Sequence, residues 1–220
     1  MGGFDGGSIL ATVEAYNPRT NSWRSCLPLS QRRTRAVAGV VGGRLVVAGG
    51  FARGVGELAS VEAYTSTGWT PLPPLPHAAD GATACVLNGR LYVMGGFQCN
   101  KLQVLEMSEE NEFTWTVKEL PAERYSAACV GLDGKLWLMG GKDERAQPTA
   151  SVFIYEPAND TWAAGPALPH PCSGGSAAVL DGEIHFIGDR RHVVLQDGAW
   201  AELADGPARK HTTCQSIPLG

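Results

Sequence analysis

An apolar run ending in a glycine pair recurs through this chain at a nearly fixed distance. The pairs are Gly2-Gly3, Gly49-Gly50, Gly95-Gly96 and Gly140-Gly141, the last three closing LVVAGG, LYVMGG and LWLMGG. A decayed copy, IHFIGD, keeps only the first glycine, Gly188. First glycines are spaced by 47, 46, 45 and 48 residues. Tryptophans keep the same beat: Trp23, Trp69, Trp115, Trp162 and Trp200 follow at 46, 46, 47 and 38. Gly42-Gly43, Asn88-Gly89, Asp133-Gly134 and Asp181-Gly182 form a third series. Three markers at one period predict repeated stacking of a single supersecondary unit.

Asn-Gly and Asp-Gly between apolar runs signal a type I′ hairpin, because both central residues need positive φ. AVAGVV-GG-RLVVAGG, ATACVL-NG-RLYVMGG, AACVGL-DG-KLWLMGG and GSAAVL-DG-EIHFIGD are therefore read as four hairpins. Their strands alternate little, which predicts burial on both faces. A variable loop follows each glycine pair, then a strand such as TVEAY, SVEAY or SVFIY, a polar turn, the tryptophan strand and a Pro-rich exit. That makes four strands per unit and no helical periodicity. Four short antiparallel strands at this period describe one blade of a β-propeller.

Composition narrows the class. Gly and Pro make up 42 of 220 residues, about 19% against about 12% in average usage, yet below the low-complexity range. With 44% hydrophobic residues there is material for a core, so a disordered chain is excluded. No apolar run reaches the roughly 18 residues of a membrane span, and the start Met1-Gly-Gly-Phe-Asp shows no secretory signal. A net charge of -4 argues against a nucleic-acid partner, and no membrane partner is expected. Six cysteines show no CxxC and no Cys/His zinc spacing, which suggests a reducing compartment and a cytoplasmic protein. Cys85, Cys129 and Cys214 fall on inner strands as small apolar residues. Cys99 and Cys172, in loops, are the candidate reactive thiols.

The glycine doublet, the hairpin and a tyrosine seven residues before a tryptophan (Tyr16 to Trp23, Tyr155 to Trp162) resemble the kelch repeat over essentially the whole chain. The first unit is most similar to the kelch domains of BTB–kelch ubiquitin-ligase adaptors. Unit three departs from the pattern, with Leu105 in place of the tyrosine and an acidic insertion at 108–113. The resemblance implies an all-β kelch propeller that recognises a partner protein, as a substrate adaptor of a cullin-type ubiquitin ligase, with no enzymatic activity and no cofactor or metal. An alternative within the same resemblance is a kelch-type enzyme acting on a small molecule such as a sugar, of the mutarotase or oxidase class. Asp143, Glu144 and Arg145 are its generic candidates for a mutarotase pair. His77, His170 and His211 are three loop histidines that could meet at the channel mouth.

Five tryptophan strands predict about five blades, with repeat units near 1–33, 34–79, 80–124, 125–172 and 173–210. In kelch propellers a final inner strand, here 211–218, completes the first blade. The first blade lacks most of its second strand, so a shortened chain is expected, with that blade the least protected. The tryptophans and the doublets Gly49, Gly50, Gly95, Gly96, Gly140 and Gly141 are assigned to the repeat framework, the tryptophans between blades.

In a four-stranded meander the second-to-third-strand loops and the connections between blades share one face. These loops vary between units, and variable loops on a rigid scaffold carry function. They hold eleven of the 18 Lys and Arg but seven of the 22 acids, +4 on this face and -8 elsewhere. That predicts an acidic peptide segment as partner. The candidate binding residues are Arg33, Arg53, Phe97, Arg124, Tyr125, Lys142, Arg145, His170, Arg190, Arg191, Arg209 and His211. Arg33, Arg124 and Arg209 recur at one repeat position, so a framework role in pairing with a neighbouring blade is open beside the binding role. Phe4, Phe51 and Phe97 follow the glycine pairs. They are expected to pack under their loops, the other reading being an aromatic rim joined by Tyr125.

Overall fold

The computed structural model describes residues 1–203, so Arg209, His211, Cys214 and the closing strand expected at 211–218 lie outside the described residues. The chain opens with a two-stranded ladder, β1 (Val13–Asn17) and β2 (Ser22–Cys26). The first complete blade is β3 (Val37–Val41), β4 (Arg44–Ala48), β7 (Val61–Thr65) and β8 (Gly68–Leu72). A short hairpin, β5 (Phe51–Ala52) with β6 (Gly56–Glu57), rises from its central connection. The second blade is β9 (Thr83–Leu87), β10 (Arg90–Met94), β11 (Lys101–Met107) and β12 (Phe113–Glu119). The third is β13 (Ala128–Leu132), β14 (Lys135–Met139), β15 (Val152–Glu156) and β16 (Thr161–Ala164). The fourth is β17 (Ser176–Leu180), β18 (Glu183–Gly188), β19 (Arg191–Gln196) and β20 (Ala199–Leu203). Among the described residues every strand pairing is antiparallel, between sequence neighbours except where β4 pairs β7 across the β5–β6 hairpin, and no helix occurs. The architecture is a β-propeller.

The turn chemistry explains the hairpins. Asn88 and Gly89 sit at φ 50° and 74°, and Asp133 and Gly134 at 50° and 72°, as a type I′ turn requires. Burial is less even than the apolar strands suggest. The second strand of the second blade is buried from Leu91 to Met94, whereas β9 beside it is only partly buried. The reason is position: β9 is an edge of its sheet and β10 lies between two strands. Core clusters form between successive blades rather than within them. Leu91 and Val93 pack with Val46 and Ala63, Leu136 and Leu138 with Tyr92 and Leu102, and Ile184 and Phe186 with Val152. Each such side chain contributes about 1.5–3 kcal/mol of transfer free energy.

The glycine doublet is a close-approach device. Its second N–H donates to the carbonyl of the connection leaving the blade: Gly50 to Ala79 (2.7 Å), Gly96 to Arg124 (2.8 Å) and Gly141 to Cys172 (2.8 Å). A Cβ on Gly95 would lie 1.9 Å from that same Arg124 oxygen. Tryptophans tie neighbours similarly. The Nε1–H of Trp69 donates to the Leu27 carbonyl (2.9 Å), that of Trp115 to Pro73 (2.9 Å) and that of Trp200 to Pro166 (2.8 Å). Trp162 packs against Tyr155, centroids 4.7 Å apart, at the seam of the second and third blades. Trp23 corrects the expectation of inter-blade packing: it is 68% exposed. Its strand β2 lies in a sheet that has only two strands among the described residues.

Candidate functional site

The expected face is where the connections between blades meet the central loops. Thr34 bridges Phe51, and Tyr125 bridges Lys142. The charged residues of this face divide into three groups.

Arg33 and Arg124 belong to the framework, which corrects their placement among partner-binding residues. Arg33 is 1% exposed and Arg124 6%. Arg33 donates from Nη1 to the carbonyls of Gly49 (2.8 Å) and Ser60 (3.0 Å), and from Nη2 to Ser60 Oγ (3.0 Å) and Glu62 Oε1 (2.9 Å). Glu62 also accepts from the Ser30 N–H (2.9 Å) and Ser30 Oγ (2.6 Å). Burial pulls the Arg33 guanidinium below its ordinary pKa, and Glu62 pushes it back. Arg124 donates to the Glu123 carbonyl and to Ser151 Oγ, and lies 5.2 Å over the Phe153 ring. The recurrence of arginine at this position was the sequence signal. Glu62 was missed, although an acid inside an apolar strand (Val61-Glu62-Ala63) marks it.

A second group is tethered at the surface. Arg191 Nη1 donates to Glu202 Oε1 (2.7 Å) and meets His170 Nε2 (2.8 Å). Asp143 accepts the N–H groups of Arg145 (3.0 Å) and Gln147 (2.9 Å), so this carboxylate shapes its own loop. Arg190 sits at φ 67° beside Asp189 in a tight turn joining β18 to β19. His77 lies apart from His170: its backbone N–H and carbonyl form a reciprocal pair with the Gln103 amide (2.8 and 2.9 Å). Among the described residues no three His, Cys, Asp or Glu side chains come together as metal ligands.

The third group is open. Phe97 is 41% exposed and Phe4 62%, correcting the expectation that both pack beneath their loops. Phe97 meets Tyr125 edge-on at 5.5 Å, and Lys142 Nζ lies 5.9 Å from the Tyr125 ring. Between the opening ladder and the first blade runs a cleft of about 920 Å³, lined by Phe4, Ile9, Phe51 and Val55 and by Arg32, Arg35 and Arg53. Among the described residues no carboxylate lines it. Arg35 lies 5.3 Å over Phe51 and pairs with Asp80 (2.7 Å), and Arg32 donates to the Ile9 carbonyl (3.2 Å). Sequence singles out Arg53 as a binding candidate and Phe4 and Phe51 as loop aromatics, whereas the cleft itself comes together only from three separate loops.

The loop thiols reverse their expected reactivity. Cys99 and Cys172 are 8% and 5% exposed. Burial raises the Cys99 pKa, and burial with nearby Asp189 pushes Cys172 up to about 12. Both stay protonated and inert at neutral pH.

Stacked four-stranded meanders and inter-blade tryptophan ties define a repeat propeller, with open aromatics and arginines on one loop face. The family model of the Kelch motif matches residues 1–29, 32–76 and 123–169, and the chain belongs to the kelch-repeat family. It is 38% identical to human Kelch-like protein 35 over 76% of this chain and 29% of that protein. To mouse Kelch-like protein 35 it is 28% identical over 86% of this chain and 25% of that protein. The chain thus spans little more than a quarter of these relatives' length. A solved structure titled "Structure of YjhT" shares the fold with a TM-score of 0.79, at 16% identity over 96% of this chain and 85% of that one.

Proposed function

We propose that the chain is a protein-interaction module whose cleft between the opening ladder and the first blade receives an acidic peptide segment carrying an apolar anchor. One observation carries this reading: Arg32, Arg35 and Arg53 share a lining with Phe4, Ile9, Phe51 and Val55 and, among the described residues, with no carboxylate. Arginine grips a carboxylate through two hydrogen bonds, and an apolar floor rewards a buried side chain beside it. The Phe97–Tyr125–Lys142 group extends the same face across the second and third blades. Recruitment of that partner to a cullin-type ubiquitin ligase in the cytoplasm is the wider role we assign. The Kelch-like relatives support it, together with a human Kelch repeat and BTB domain-containing protein 13 that is 33% identical over 42% of this chain.

The test is a peptide array probed with the full chain. Peptides pairing Asp or Glu with Leu or Phe should be retained, with retention falling as salt rises. Joint reversal of Arg32 and Arg53 to Glu should weaken capture by about tenfold or more, since like charges then face the peptide. Undiminished capture by the reversed protein sinks the reading.

A further inference from the structure

The thiols that stand out are not those in loops. Cys85 lies on β9 and Cys129 on β13, the innermost strands of the second and third blades. Both pack against the core cluster of that one seam. Register shows how unusual this is. Cys85 pairs with Tyr92 and Cys129 with Leu138. The residues in the corresponding places at the preceding seam are Gly39 and Ala84, and at the following one Val130 and Ala177. The second seam therefore faces a thiol with a thiol where its neighbours place small or apolar groups. Cys85 Sγ reaches β13 beside Gly131, two residues from Cys129: a Cβ built on that glycine would stand 3.5 Å from the sulfur, an ordinary contact distance. Neither cysteine is fully buried, in contrast to Cys99 and Cys172.

We propose that Cys85 and Cys129 form a reversible disulfide that ties the innermost strands of the second and third blades, with a hydroperoxide as oxidant and a small thiol as reductant. Cys85 is the attacking sulfur. The neighbouring Cys129 thiol lowers its pKa, whereas burial raises that of Cys129 well above the ordinary value. A thiolate held by a neighbouring thiol is the arrangement that favours attack on peroxide. The Cys85 thiolate displaces hydroxide from hydrogen peroxide, forming a sulfenic acid. The Cys129 sulfur then attacks the sulfenic sulfur, its proton leaves with the departing hydroxyl as water, and the S–S bond forms. Two thiols and one peroxide give one disulfide and two waters. A small thiol restores the pair by exchange through a mixed disulfide.

The test uses the full chain, reduced and then treated with one equivalent of hydrogen peroxide, capped with maleimide and digested without reduction. The expected product is a Cys85–Cys129 linked peptide lighter by two hydrogens, absent after dithiothreitol. In Cys129→Ala, Cys85 accumulates as a sulfenic acid trapped by dimedone. In Cys85→Ala, Cys129 is maleimide-capped as in untreated protein. Alanine fits at 129, since Ala84 and Ala177 hold the corresponding places. Cys85 should also alkylate about tenfold faster than Cys26 near neutral pH. Full capping of both thiols after peroxide, a disulfide from Cys85 to Cys214 instead, or equal alkylation of Cys85 and Cys26 overturns the proposal.

Discussion

Arg33 and Arg124 occupy one repeat position and do one backbone job, yet their side chains are satisfied differently. The Arg33 carbonyl accepts from Gly3 and the Arg124 carbonyl from Gly96, so both connections are latched to the blade they leave. Both guanidinium groups then reach forward into the next blade. Arg33 finds an ion pair in Glu62, while Arg124 finds the Ser151 hydroxyl and the Phe153 ring. At the connection between them Ala79 takes the position, and the Gln103 amide ties the His77 backbone instead. The latch is thus a property of backbone and glycine, and the side-chain chemistry that secures it is interchangeable between blades provided each buried polar group is answered.

Removing one side of the ion pair breaks that equivalence most severely. Glu62→Ala leaves Arg33, 1% exposed, as an uncompensated buried charge, a change that costs about 3–5 kcal/mol. Chemical denaturation measures it, and a loss below about 1 kcal/mol would show that the two arginines are not held differently. Glu62→Phe copies the third blade into the first. It should recover part of the loss, because a ring beneath a desolvated cation contributes up to about 2 kcal/mol. Equal stability of the Ala and Phe variants would deny that the two solutions are interchangeable. Ser151→Ala is milder at about 1–2 kcal/mol, since Arg124 keeps the Glu123 carbonyl and the Phe153 ring.

The two arginines also show what a sequence exposes and what it hides. The doublets, the hairpin turns and the strand order follow from local chemistry with a period, and all are legible in one chain. Arg33 and Arg124 were visible as a recurring pair, but burial depends on which strand faces them from the next blade. Glu62 and Phe153 answer the arginines only once β7 and β15 are set in register against the connections. The cleft was hidden for the same reason, since Phe4, Arg32 and Val55 come from loops far apart in sequence. Exposure misled the thiol assignment: Cys99 and Cys172 lie in loops that fold inward, and the paired thiols lie on strands.

A fourth variant of the same rule sits on the last described blade and gives the smallest effect. His185 and His192 take the places held by Trp137 and Val152 in the third blade, and their rings are joined by a 2.9 Å hydrogen bond between His185 Nδ1 and His192 Nε2. One ring must donate and the other accept, so this bond requires at least one neutral imidazole. Burial lowers the His192 pKa below its ordinary 6.5, and the charge of His185 lowers it further. The unfolded chain therefore takes up this proton at a higher pH than the folded one. The stability it contributes is complete above pH 6.5 and is lost as the pH falls through the folded-state pKa. His192→Val restores the residue type of the third blade and should flatten the decline in thermal midpoint between mildly alkaline and mildly acidic buffer. Because other groups titrate in the same range, the readout is the difference between wild-type and variant slopes. Parallel slopes would mean that this polar pair, unlike the arginines, does not depend on its charge state.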